Sequence, residues 1–135
     1  MSSDGETSPS GVDAVTLEVV RNSLTGVAEE MNANLIRTSH SPNIKDRRDC
    51  SCAVFDSDAE LVAQAENIPV HLGAMPFSVE AALESYPPEE LDEGDSVLLN
   101  DPFEGGAHLP DVTVVVRKCL VDLREREIEL VSDVR

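Results

Sequence analysis

At 135 residues the chain is long enough for one compact domain with a single core, and nothing in it demands a second. Hydrophobic residues make up 41% but aromatics only 3%, with no Trp, so the core must be aliphatic. Against 27 acidic residues stand 10 basic ones, and a formal charge of −17 argues against nucleic acid or an anionic membrane as partner, because phosphates would be repelled.

Residues 1–12 are polar and rich in Ser, Gly and acids, and read as a disordered acidic tail. They hold neither the basic n-region nor the apolar h-region of a signal peptide. No stretch of the chain reaches the apolar length of a membrane span. Cys50, Cys52 and Cys119 lack the spacing of a disulfide framework or a zinc site, so reduced thiols and a cytoplasmic setting are expected. Only Lys45 and Lys118 are lysines, and the acids are interleaved with apolar periodicity, a composition like that of halophilic proteins.

Leu17, Val20, Leu24, Val27, Met31 and Leu35 recur at spacings of three and four, which predicts one long helix with an apolar face. Asp13 is placed to cap its start, and Ser41-Pro42 to end it. Residues 43–49 read as a polar loop. From Cys50 the pattern alternates, Cys50, Cys52 and Val54 against Ser51, Ala53 and Phe55, and with residues 60–64 predicts two short strands around a turn at 56–58. Residues 68–73 read as a connection, and 74–86 as a second, shorter helix with Pro76 in its first turn, stopped by Pro87-Pro88. An acidic linker over 89–95 leads to a short strand at 97–99. Residues 112–121 and 127–134 alternate as a C-terminal hairpin around 122–126. The expected class is α+β, with mixed or antiparallel strands.

Between the last two apolar runs lies the richest stretch of the chain, Asn100, Asp101, Pro102, Phe103, Glu104, Gly105, Gly106, Ala107, His108, Leu109, Pro110 and Asp111. His108 and Asp111 are three apart, and the proline between them rules out a helix interior. An imidazole and a carboxylate so placed suit a divalent metal such as Mn, Zn or Fe, while spacing alone favours a hydrogen-bonded pair that stabilises a turn. Gly105-Gly106 suits close backbone approach or a plain turn. Asp101 leaves a strand end where catalytic groups are commonly presented, in a sequence that also forms turns. His71, just before the second helix, is a candidate proton donor or further ligand, or a packed structural histidine. Cys50 and Cys52 read as buried structural thiols.

Four blocks then stand in order: Thr16-Leu17-Glu18-Val19-Val20-Arg21-Asn22; Ser41-Pro42-Asn43-Ile44-Lys45-Asp46-Arg47 with Asp49-Cys50-Ser51-Cys52-Ala53; Ile68-Pro69-Val70-His71-Leu72-Gly73-Ala74-Met75; and residues 100–111. In these the chain resembles the N-terminal part of the hydantoinase B family, which includes ATP-hydrolysing N-methylhydantoinase B, 5-oxoprolinase and an acetone carboxylase subunit. Residues 13–135 would then be the front part of such a domain. The resemblance implies ATP-dependent hydrolysis of a cyclic amide such as hydantoin or 5-oxoproline, with ATP on a hydantoinase A-like partner subunit. It implies His108 and Asp111 as metal ligands, completed by a later histidine beyond Arg135. The contrasting expectation is a non-catalytic module that docks on a partner subunit or self-associates as a homo-oligomer through an open sheet edge.

Overall fold

The structure, a computed structural model, describes residues 12–65, 68–119 and 127–134. The expected tail, up to residue 11, and the hairpin turn at 122–126 lie outside the described residues.

Helix α1 spans Ala14–Thr38 and begins at Asp13, whose Oδ1 accepts from the Val15 and Thr16 amides at 3.0 and 2.9 Å. The Thr16 hydroxyl donates to Asp13 Oδ2 at 2.6 Å, and these bonds hold the Asp13 carboxyl below its ordinary pKa. The face that α1 buries is rotated from the predicted one: Leu24, Ala28 and Asn32 are buried at steps of four, while Leu17 and Val27 are exposed. Ala28 explains the rotation. With no accessible surface and only a methyl side chain, it lets the helix backbone lie close against the sheet.

The expected polar loop after α1 contains one helical turn, α2 (Pro42–Lys45). Pro42 suits a first helical position, and the Lys45 and Asp46 amides donate to the Ser41 and Pro42 carbonyls at 2.8 and 2.9 Å. Ile44 is buried beneath it.

Strands β1 (Cys50–Asp56) and β2 (Leu61–Gln64) form the predicted first pair, around a turn in which Asp56 Oδ1 accepts from the Asp58 and Glu60 amides. Helix α3 spans Pro69–Ser85 and therefore starts five residues before the predicted helix. Its first helical residue is Pro69, and Pro76 sits in the helix interior rather than in the first turn. A 3-10 turn at Pro88–Glu90 leads to β3 (Ser96–Leu99), β4 (Val112–Cys119) and β5 (Glu127–Val134).

The five strands form one sheet in the order β2-β1-β5-β4-β3, and every pairing is antiparallel. The class is thus α+β with a long first helix, a shorter later helix and a C-terminal hairpin, as predicted. Helix α1 packs on β1 and β2, and α3 packs on β1, β3, β4 and β5. Two cores result, one on each face. Ala53, Phe55 and Val115 meet Met75, Val79 and Ala82 of α3; Val54, Ala63 and Ala65 meet Leu24 and Ala28 of α1. On β3 and β4 the face turned away from α3 leaves Leu98 and Val112 exposed. Arg117 of β4 donates its guanidinium to the Pro88 and Leu91 carbonyls, which ties the 3-10 turn to the sheet.

Phe55 is fully buried at the centre of the α3-side core, so Phe55→Ala should lower unfolding free energy by about 3–5 kcal/mol in urea titrations. Ala28→Leu overfills the closest helix-sheet contact and should cost roughly 1–3 kcal/mol in the same experiment.

Candidate functional site

The sheet register brings the candidate residues to one end of the molecule. Val134 pairs with both Cys50 and Val112, so β1 and β4 start side by side across the end of β5. Asp49 and Asp111, each one residue before those starts, therefore stand at the same sheet end, on strands roughly 10 Å apart. One row further in, Ser51 and Thr113 both pair with Asp133, and both are buried. The first turn of α3 delivers His71 to this end.

His71 has no accessible surface. Its Nδ1 lies 3.3 Å from Ser51 Oγ, and its Nε2 lies 3.5 Å from Asp49 Oδ1. The second approach lacks hydrogen-bond geometry, so Nε2 is a buried ring nitrogen with no hydrogen-bond partner in the described structure. Such an atom is costly in a closed core, where most buried polar groups are paired. Asp49, with 19% of its side chain exposed, stands between this imidazole and solvent.

The loop at 100–111 is held against α3 by its backbone. Ser78, buried on α3, donates its hydroxyl to the Gly105 carbonyl at 2.6 Å. Gly105 has φ +86°, and a Cβ there would fall 2.6 Å from Ala81 Cβ and 2.7 Å from the Phe77 carbonyl oxygen. At Gly106 a Cβ would fall 2.6 Å from the Asp101 carbonyl oxygen. Both glycines thus serve close approach. Asn100 Nδ2 donates to the Leu109 carbonyl at 3.1 Å and closes the loop on itself.

The loop presents His108 with its side chain 61% exposed beside Asp111, whose side chain is 1% exposed, with His108 Nδ1 3.8 Å from Asp111 Oδ1. Asp101 is exposed at the start of the loop, where Oδ1 accepts from the Phe103 amide at 2.9 Å and shapes the turn. Phe103 and Leu109 carry exposed apolar side chains on the same loop.

Imidazole and carboxylate are a donor combination that divalent transition metals take. The described residues supply this pair and no group of three or more metal-binding side chains. Among the described residues His108 and Asp111 are thus two donors of suitable type, fewer than a closed metal site needs.

Pairing of His71 with Ser51 and Asp49 was not predicted from sequence, although Ser51 carried a signal: it is the polar residue in an alternation otherwise apolar on both faces. The thiols lie on the other face of β1, where Cys50 Sγ donates to Asn32 Oδ1 at 3.6 Å. Burial, reinforced by Asp49, raises the Cys50 pKa, and burial, reinforced by Cys50, pushes Cys52 up to about 12. Both are structural thiols, as expected.

Residues 13–118 match the family model described as Hydantoinase B/oxoprolinase. A protein of Arabidopsis thaliana named 5-oxoprolinase 1 is 48% identical over 103 residues, covering 76% of this chain and 8% of that protein. The caprolactamase subunit beta of Pseudomonas jessenii is 36% identical over 100 residues, 74% of this chain and 17% of that one. The crystal structure of the ATP-dependent caprolactamase from the same organism matches with a TM-score of 0.73 at 29% identity, over 90% of this chain and 21% of that chain. A nucleotide-free acetone carboxylase structure shares the fold, with a TM-score of 0.71 at 14% identity over 89% of this chain and 16% of that one. The chain spans between 8% and 21% of the length of these relatives.

Gly105→Ala should destabilise the loop by about 1–3 kcal/mol, since it combines left-handed backbone with two contacts too short for a methyl group; amide exchange at 100–111 should speed up in that variant. Because burial penalises the Cys52 thiolate, this thiol leaves stability independent of pH below its ordinary pKa near 9 and lowers it progressively as pH rises from there towards about 12. The thiolate absorbance due to Cys52, read as the difference between the parent protein and Cys52→Ala, should therefore stay low above pH 9 until alkaline unfolding.

Proposed function

The chain belongs to the hydantoinase B/oxoprolinase family, and on that basis we propose that it forms the N-terminal part of a subunit that hydrolyses a cyclic amide in an ATP-dependent assembly. The reading is carried by one observation: an exposed His108 set against a buried Asp111, on a loop that Gly105 and Ser78 pin to α3. The relatives named 5-oxoprolinase and ATP-dependent caprolactamase support a lactam-type substrate, such as 5-oxoproline or a hydantoin. The relative named caprolactamase subunit beta supports a companion subunit, here a hydantoinase A-like chain that holds ATP.

In this reading His108 and Asp111 hold a divalent ion, Mn or Zn, together with a histidine beyond the present chain. When bound, the ion supplies Lewis-acid polarisation of an amide carbonyl. The chain's own residues orient the substrate and handle protons. Phe103 and Leu109 offer apolar surface to the ring. Asp101, exposed beside them, accepts a proton at its carboxylate. His71 is too deeply buried to touch substrate; with Ser51 against Nδ1 and Asp49 Oδ1 3.5 Å from Nε2, it acts by positioning the Asp49 carboxylate at the rim of the site. The free, buried thiols suit a reducing cytoplasm, and the scarcity of lysine suits high salt.

The test is a high-salt assay of the complete protein with its ATP-binding partner, offering 5-oxoproline, hydantoin and caprolactam. ATP-dependent ring opening is expected for at least one. His108→Ala and Asp111→Asn should each lose metal, measured by elemental analysis, and lower kcat/KM by roughly 10–100-fold. Asp101→Asn and His71→Gln should lower kcat with metal content intact. Full turnover in the His108 or Asp111 variants would overturn the assignment.

A further inference from the structure

A groove of about 740 Å³ runs along the outer side of β2, on the sheet face opposite His71. One wall is a flank of α1 in which Arg21, Thr25, Glu29, Ala33 and Arg37 recur at every fourth residue. The other wall is β2 itself, continued by Ala65. Arg48 also lines it, and the contact of Cys50 with Asn32 sets the start of β1, and so Arg48, beside the C-terminal half of α1. Arginines thus stand at both ends: Arg21 at one, Arg37 with Arg48 at the other. Between them lie Ile36, Val62 and Ala63, which are apolar.

Two features of this groove point to its occupant. β2 is an edge strand, paired only to β1 in the described sheet, so its outer amides and carbonyls offer a template for another strand. The chain carries only 10 basic residues against 27 acidic ones, yet three arginines line this one groove. Among the described residues none of the three has an ion-pair partner. Arg37 donates only to the Asn34 side chain, at 2.8 Å.

We propose that this groove binds an extended acidic segment of a partner polypeptide, which adds to β2 as a sixth strand and sets carboxylates at its two ends on Arg21 and on Arg37 with Arg48. The dimensions define the segment. Arg21 to Arg37 is sixteen residues of helix, about 24 Å, which an extended chain covers in roughly seven residues. Alternate side chains in the middle of the segment face the apolar floor, and Glu29 disfavours an acid there. Arginine pairs with carboxylates through two parallel hydrogen bonds, which gives the ends their selectivity. The net charge of −17 opposes a second copy of this chain far more than a short peptide. At physiological ionic strength the screening length is about 8 Å, a third of the groove, so distant acids lose most of their influence on its two ends. The proposal stands independently of the catalytic reading.

The experiment measures fluorescence anisotropy of a labelled seven-residue peptide with two glutamates at each end and Val-Thr-Val between them, titrated with the full chain at roughly 0.15 M salt. A control peptide carries lysines in place of the glutamates. Saturable binding of the acidic peptide alone is expected, weakened about tenfold by Arg21→Glu and by Arg37→Glu, two exposed positions whose variants should keep the parent circular dichroism spectrum. Hydrogen exchange on the unmutated chain gives a second readout, in which the peptide should slow the amides of Leu61–Gln64. Absence of saturable binding, equal binding of the lysine peptide, unchanged affinity in both arginine variants, or protection outside β2 would each overturn the proposal.

Discussion

Everything in this molecule is arranged around a strand that is buried on both faces. From Cys50 to Phe55 no side chain of β1 reaches solvent, because α1 covers one set of alternate residues and α3 the other. Burial on both faces sets strict demands on what surrounds the strand. The neighbour from α1 has to be as small as Ala28, and the neighbours from α3 as well fitted as Met75 and Val79. It also means that anything polar inserted into β1 must find its partner inside the protein. Ser51 does so with His71, and Cys50 with Asn32. Just before the strand starts, Asp49 is the first residue to keep part of its side chain in solvent.

Much of this architecture could be read from the residues. The helix at Ala14–Thr38 followed from apolar spacing and an Asp13 cap, and β1 and β2 followed from alternation broken by Asp56 and Asp58. What could not be read came from packing. A helix of 3.6 residues per turn offers several adjacent apolar stripes, and the sheet chose the one containing Ala28 rather than the one containing Val27. The true start of α3 carried no cap signal, since Ile68 makes no side-chain bond to the helix, while Pro76 imitated a first-turn proline. A single turn such as α2 has too few residues to show a period.

The same division runs through the site. His108 and Asp111 are close in sequence, so their pairing could be foreseen from spacing and the intervening proline. Ser51 and His71 are twenty residues apart, and only the docking of α3 on β1 brings them to 3.3 Å. In the outer pair His108 meets solvent, while both members of the inner pair are buried. At this end of the sheet exposed side chains, His108 and Asp101, therefore stand beside a fully buried imidazole, His71, with the partly exposed Asp49 between it and the surface.

The order of strands also fixes when the site can exist. β1 and β4 start next to each other only because β5 lies between them, yet β5 is the last of the five strands to leave the ribosome. Until it arrives, the α1-β1-β2 unit and the α3-β3-β4 unit share no hydrogen-bonded ladder, and Asp49 and Asp111 have no fixed separation. Contacts spanning some eighty residues, such as Cys50 with Val134, close late and slowly. During synthesis the nascent chain would present two further open strand edges, those of β1 and β4 that β5 later joins, so a translating polypeptide is exposed to mispairing until that last strand arrives.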